Sequence, residues 1–204
     1  MIRDPKVENA ASIQQFQSSN GFSENYSYIL AGDTANAESN LFRGLRSGYY
    51  VFDKSGNQLC YKGSSLCSGV QFKDFLAAQD DTFQSCKNDS IHLGKVISEC
   101  IDLNNKAVNM SDMPEANYYV VNYWQKFMGG KRGYKENILW MEDEIKMADP
   151  NLKIAFVKIN TDLQENWGLQ LGKKATMKLK RNKSNLQMSI TDFPYKKSSS
   201  SSLH

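Results

Sequence analysis

Between Tyr118 and Trp124 the chain reads Tyr-Tyr-Val-Val-Asn-Tyr-Trp, a nearly unbroken apolar run of aromatic and β-branched residues that ends before Gly129-Gly130. Such a run predicts a core β-strand. Beyond the glycines, Ile138, Met141, Ile145 and Ala148 share one helical face, and Pro150 closes the helix. Lys153–Ile159, Lys-Ile-Ala-Phe-Val-Lys-Ile, predicts the next strand, with Asn160-Thr161-Asp162 behind it.

The first part of the chain carries its own pattern. Val7, Ala10, Ala11, Ile13 and Phe16 predict a short helix ended by Asn20-Gly21, and Tyr26–Leu30 a strand. Asp33 or Thr34 is placed to cap a helix over 35–42, with Gly44 as its stop. Tyr49–Phe52 and Gln58–Tyr61 read as strands joined by Asp53-Lys54-Ser55-Gly56-Asn57, which has hairpin-turn chemistry. Val70, Phe72, Phe75, Leu76 and Ala77 give an amphipathic helix. Residues 79–94 are polar and read as a connector. Ile101–Asp112 predicts a strand, an Asn104-Asn105 turn and a strand. Met177 and Leu179, then Leu186, Met188 and Ile190, alternate around a turn at Arg181–Asn185 and predict a closing hairpin.

These elements divide the chain into residues 1–87, 88–195 and a serine-rich tail, 196–204. Two architectures fit: two modules, each with its own hairpin, or one rearranged sheet in which the first segment supplies a helix and hairpin to the second. The two-module description is favoured, because both segments hold a hairpin.

Composition narrows the function classes. Residues 1–87 carry 8 Lys and Arg against 9 Asp and Glu, and the remainder 17 against 13, for a net charge of +3 over 204 residues. That imbalance is too small to indicate bulk nucleic-acid binding. No apolar run reaches the eighteen or so residues of a membrane span, and Met1–Pro5 lacks an apolar signal core. The reading is a cytosolic protein or one whose signal was removed. Only His92 and His204 are present, the second within the tail, so a histidine metal cluster cannot be assembled, a Ser-His-Asp or Cys-His site would rest entirely on His92, and no metal or cofactor is expected.

The stretch from Asp102 to Asp112, followed by Val121-Asn122-Tyr123-Trp124 and Phe127, resembles redoxin and TlpA-type thioredoxins of bacterial envelopes. In them a short D-x-x-G-K-x-V-x-L-S-D hairpin precedes V-N-F-W-A-x-W-C-G-P-C. Asp102, Lys106, Val108, Met110, Ser111 and Asp112 match the hairpin. Met128, Gly129, Gly130 and Lys131 then fall on the Cys-Gly-Pro-Cys positions, so both sulfurs are replaced. The resemblance covers roughly residues 99–190, and residues 22–78 more loosely. It implies an α/β fold, a thioredoxin-like mixed sheet flanked by helices and preceded by a partial thioredoxin-like segment. It also places the family's cis-proline loop at Arg46-Ser47, where this chain has no proline, and suggests a periplasmic or envelope-associated protein.

The chemistry follows from the replacements. A thioether at 128 cannot ionise or attack a disulfide, so dithiol exchange at this turn is excluded. The implied reading is a binding or structural module whose surface comprises Trp124, Phe127, Met128, Lys131, Arg132, Arg46 and Ser47. Its partner would be an unidentified protein or a small anionic ligand held at the glycine-rich helix start. The enzyme alternative is a thiol oxidoreductase using Cys67 with Cys60 or a partner thiol. Cys67 lies just ahead of a predicted helix, and a Cys60–Cys67 disulfide is sterically reasonable. The lysines of 173–183 read as a solvated edge of the terminal hairpin, and Glu142, Asp143 and Glu144 as the wet face of the main helix.

Overall fold

The protein is described by a computed structural model covering residues 4–45, 48–77, 82–86, 91–128, 134–182 and 185–196. It is an α/β protein built on one mixed seven-stranded sheet. In chain order the elements are α1 (Ala10–Asn20), β1 (Ser27–Leu30), α2 (Ala37–Leu45), β2 (Tyr49–Asp53), β3 (Gln58–Tyr61), α3 (Ser68–Ala77) and β4 (Phe83–Ser85). Next come α4 (Leu93–Ser98), β5 (Cys100–Ile101), β6 (Tyr118–Trp124), α5 (Tyr134–Met147), β7 (Ile154–Asn160), β8 (Thr176–Asn182) and β9 (Asn185–Thr191). The strand order is β4-β3-β2-β6-β7-β1-β5, with β6, β7 and β1 mutually parallel and the remaining pairs antiparallel.

Strands from both sides of residue 87 interleave in this sheet. β2 pairs with β6 from Tyr49↔Asn122 to Asp53↔Tyr118, and β1 pairs with β7. The two segments therefore do not build separate sheets; the favoured description gives way to the rearranged single sheet. The reason is visible in β6, whose residues need neighbours on both edges. β7 fills one edge, and the hairpin that follows α2 fills the other.

Period-two alternation then sorts the core into two layers. Tyr119, Val121 and Tyr123 of β6, with Ala155, Val157 and Ile159 of β7, face a cluster that includes Leu41 of α2 and Leu93, Val96 and Ile97 of α4. Val120 and Trp124, with Phe156, face Ile13 of α1, Phe72 and Phe75 of α3, and Ile138 and Met141 of α5. With helices on both faces, β6 and β7 are buried along nearly their whole length.

Local chemistry sets the element ends. At α1 the Asn9 side chain accepts from Ser12 N and the Ser12 hydroxyl accepts from Asn9 N, a reciprocal cap, and Gly21 closes the helix in the left-handed region at φ 76°. In the β2–β3 turn the Asp53 carboxylate accepts from Ser55 N and Asn57 N, and Gly56 takes φ 84°. The expected 101–112 hairpin is shorter than its pattern suggests. β5 has two residues, Ile101 bridges Ala107, and Met110–Asp112 is a 3-10 turn, because Asp102 accepts from Asn104 N and Lys106 N and tightens the chain.

The predicted connector contains β4 and the start of α4. β4 has three residues, of which only Phe83 is buried, so no alternation announces it. Burying that ring contributes about 1.5–3 kcal/mol. Fixing the five backbone residues 82–86 costs about 5–10 kcal/mol, which ladder hydrogen bonds of about 1 kcal/mol each only partly offset. The Cys60–Cys86 disulfide, closing a loop with sequence separation 26, contributes about 3 kcal/mol more and tips the balance towards docking. β8 and β9 form a two-stranded sheet of their own outside the main one.

Candidate functional site

Parallel strands end at the same edge of a sheet, and in open α/β sheets that edge is where ligand sites are built. Here β6 runs into Gln125-Lys126-Phe127-Met128 and β7 into Thr161-Asp162-Leu163-Gln164. Asp162 joins the two. One carboxylate oxygen accepts from Lys126 N at 2.7 Å and from Asn160 Nδ2 at 2.8 Å, and the other from Phe127 N at 3.4 Å. The side chain is only 1% exposed. Burial raises its pKa from 3.8 to about 6, with Glu8 adding to the rise and the three hydrogen bonds opposing it.

Around this carboxylate the polar groups are densely connected. The Asn160 side-chain carbonyl accepts from Asp162 N and from Gln164 Nε2, both at 3.1 Å. The N-terminal segment crosses the edge, and Glu8, itself buried, pairs with Lys126 Nζ at 2.9 Å and accepts from Ser12 Oγ at 2.6 Å. Gln125 Nε2 donates to Leu41 O and to Thr161 O. Gly44, in the last turn of α2, permits this approach, because a Cβ there would lie 1.8 Å from Thr161 Oγ1. Gln125 Oε1, Thr161 Oγ1 and the Trp124 indole nitrogen are buried without a partner among the described residues.

The structure relocates several residues that the sequence assigns to a surface. Trp124 is 1% exposed, stacked on Phe16 at 5.8 Å and meeting Phe22 edge to face at 5.5 Å, and Phe127 is 9% exposed. Both are corrected from binding residues to core residues: α1 and the turn after it cover Trp124, and Phe127 packs into the cluster on the opposite face of the sheet. Met128 is half-buried against the α2–α4 layer. Arg46, Ser47, Gly129, Gly130, Lys131 and Arg132 lie outside the described residues.

The cysteines are also reassigned. Cys60 is bonded to Cys86, not to Cys67, with Cα atoms 5.0 Å apart. Alternation explains the choice. Tyr61 points towards α3, donating from its hydroxyl to Asp74 Oδ2 at 2.6 Å, so its neighbour Cys60 points to the opposite face of the sheet. Cys67 directly precedes α3, on the Tyr61 face. Cys86 shares the Cys60 face, being two residues beyond Gln84, the partner of Cys60. Cys67 is free and exposed, and the N–H groups of Val70 and Gly69 lower its thiol pKa. Cys100 is buried, donates to Val96 O at 3.3 Å, and has its thiol pushed up to about 12, chiefly by burial.

A third correction concerns the main helix. Glu142 does not belong to its wet face: it is buried, pairs with the buried Lys158 of β7 at 2.9 Å, and accepts from Ser23 N. Burial lowers the Lys158 pKa and Glu142 opposes that change. Asp143 remains exposed and pairs with Lys146. Among the described residues, no three His, Cys, Asp or Glu side chains converge as a metal site requires, and no helix is long and apolar enough to cross a membrane.

Compared with models of known families, with curated proteins and with solved structures, the chain matches none. The site therefore rests on its own geometry. Sequence reasoning missed Asp162, Glu8, Asn160 and Gln164. The one usable signal was Asn160-Thr161-Asp162 directly after an apolar strand, where polar residues end a buried run. It also missed a cavity of about 400 Å³ lined by Asn9, Ala10, Ile101, Asn105, Gln164 and Lys196 together with Glu165 and Asn166. No local motif marks that cavity, because its walls come from four separate stretches of chain.

Proposed function

We propose that this chain is a thioredoxin-like protein that lacks a dithiol centre and works as a binding or structural module, with a protein or a small anionic ligand as its partner. The observation that carries the reading is the placement of the sulfurs. The turn entering α5 contains no cysteine, and Met128 stands where the resemblance puts the first one. The four cysteines sit at the β3–β4 edge, ahead of α3, and on β5. The arrangement of β6, α5 and β7 with an antiparallel hairpin beside β6 supports the same reading. The envelope location is proposed from the resemblance alone.

The test is restoration. Met128→Cys with Lys131→Cys is expected to form an intramolecular disulfide in a glutathione redox buffer and to gain reductase turnover on a small disulfide substrate. A folded double variant whose two new thiols titrate independently would sink the thioredoxin-like reading. For the anionic ligand, phosphate is expected to raise the melting temperature, and Lys131→Ala to abolish the shift.

A second reading is favoured by one observation: Cys67 is exposed and its thiol is acidified by two backbone N–H groups. In that reading Cys67 exchanges with a partner protein's thiol. Disulfide-reductase turnover by the unmodified protein that disappears in Cys67→Ser would replace the module by an enzyme.

A further inference from the structure

We propose that the Cys60–Cys86 bond is a reducible clasp whose opening releases β4 from the sheet edge and uncovers β3 and the rings of Tyr61 and Phe75 that Phe83 packs against. β4 pairs with a neighbour on one side only, from Leu59↔Ser85 to Tyr61↔Phe83. Its ladder is completed by Cys86 N donating to Gln58 O and Lys62 N donating to Thr82 O. Of its side chains, Phe83 alone is buried, at 5.4 Å from the Tyr61 ring and 5.3 Å from Phe75, while Gln84 and Ser85 face solvent. A short edge strand anchored by one ring is at the low-stability end of any fold, and the covalent bond tips its docking.

The remainder of the edge is held independently. β3 stays paired to β2 through Val51↔Leu59 and Phe52↔Gln58, and Tyr61 is tied to Asp74 of α3. Loss of β4 therefore leaves a preformed edge instead of a collapsed one. Both half-cystines are half-buried at the rim, where a small reductant reaches them.

The chemistry balances with a dithiol as reductant. One of its thiolates attacks Cys60 Sγ or Cys86 Sγ, forming a mixed disulfide and expelling the other protein sulfur as a thiolate. The second thiolate of the reductant then displaces the remaining protein sulfur. Two electrons and two protons pass to the protein, which gains two thiols, and the dithiol leaves as a cyclic disulfide. The clasp is independent of the module reading above, since it lies at the opposite edge of the hairpin from β6.

Amide hydrogen exchange with and without dithiothreitol tests it, alongside a thiol count in denaturant that rises from the two free cysteines to all four. The amides of Cys60 and Lys62, which face β4, are expected to exchange at least about tenfold faster after reduction, while Val120 and Val121 in the sheet centre change by less than about twofold. Cys86→Ser is expected to show the same pattern with no reductant. If Cys60 and Lys62 keep their protection although four thiols are counted, the bond is a passive staple and the proposal fails. It fails equally if Val120 and Val121 accelerate as much as Cys60, because opening is then global. Should Cys86→Ser not fold, reduction of the unaltered protein decides alone.

Discussion

The two hairpins of this protein have opposite fates. β2–β3 is the shorter, with strands of five and four residues, yet it sits inside the main sheet; β8–β9 has seven and seven and pairs only with itself. Chain length and hairpin propensity do not decide between them. What differs is the second face. β2 reads Tyr-Tyr-Val-Phe, with Val51 buried towards α3 and Phe52 towards α2, so it tolerates helices on both sides. β8 places Lys178 and Lys180 on the face opposite Met177, and both lysines are exposed. In the interior of a sheet covered on both sides they would be buried without partners. The second hairpin is held at its base instead, by Ala175 N on Pro5 O, Met177 N on the Asp4 carboxylate, and Ile190 N on Glu38.

The largest test of this contrast is Phe52→Ala. It should cost about 3–5 kcal/mol in urea unfolding, because it empties a site 1% exposed in the α2–α4 layer. A loss below about 1 kcal/mol would mean that β2–β3 is an attachment like β8–β9.

Next in size is a pH dependence carried by the connection to the second hairpin and absent from the first. Burial raises the pKa of Asp162 to about 6 in the folded state, against the 3.8 of an exposed aspartate. Between those values the folded state holds more protons than the unfolded one, so stability falls as pH rises from about 4 to 6 and stays low above that. The change amounts to at most about 3 kcal/mol. Urea midpoints from pH 4 to 7.5 should show the decline, and Asp162→Asn should flatten it. The cost of Phe52→Ala should be the same at both ends of the range.

Smaller effects probe the attachment itself. Asp4→Ala removes the carboxylate that accepts from Met177 N at 3.0 Å and should cost about 0.5–1.5 kcal/mol locally. The readout is faster exchange of the Met177 amide with Val51 unaffected; equal acceleration at both would erase the distinction between the hairpins. Smallest is Lys178→Gln with Lys180→Gln, expected to shift stability by less than about 0.5 kcal/mol because both side chains are solvated. A larger loss would show that the cationic face has a contact on the protein.

Much of the fold is legible residue by residue. The Gly21 end of α1, the Asp53–Asn57 turn, and the apolar runs of β6 and β7 each declare themselves, because caps, turns and periodicity are local interactions. β4 does not, since three residues with one buried ring carry no period. The site divides the same way. That Met128 is a thioether and that no cysteine lies between β6 and β7 is a statement about sequence and needs no coordinates. That Trp124 is packed under Phe16, that Asp162 reaches back to the N–H groups of Lys126 and Phe127, and that Glu142 is buried against Lys158 depend on which strand lies next to which. Cys60 shows the limit most sharply. Its separation from Cys67 is short, but strand alternation sends the two to opposite faces, and the bond goes to Cys86.

From its amino acids alone, then, this protein is committed to most of its strands and helices, to a strand before and a helix and strand after Gly129-Gly130, and to a helix entrance without thiol chemistry. Those commitments come from backbone preferences and side-chain types that act within a few residues. Tertiary structure decided the rest: that the first hairpin joins β6, that the N-terminal strap and α1 cover the ends of β6 and β7, and which thiols meet. Pairing across a sheet is a choice among edges that look alike locally, and only the burial of both faces at once selects among them.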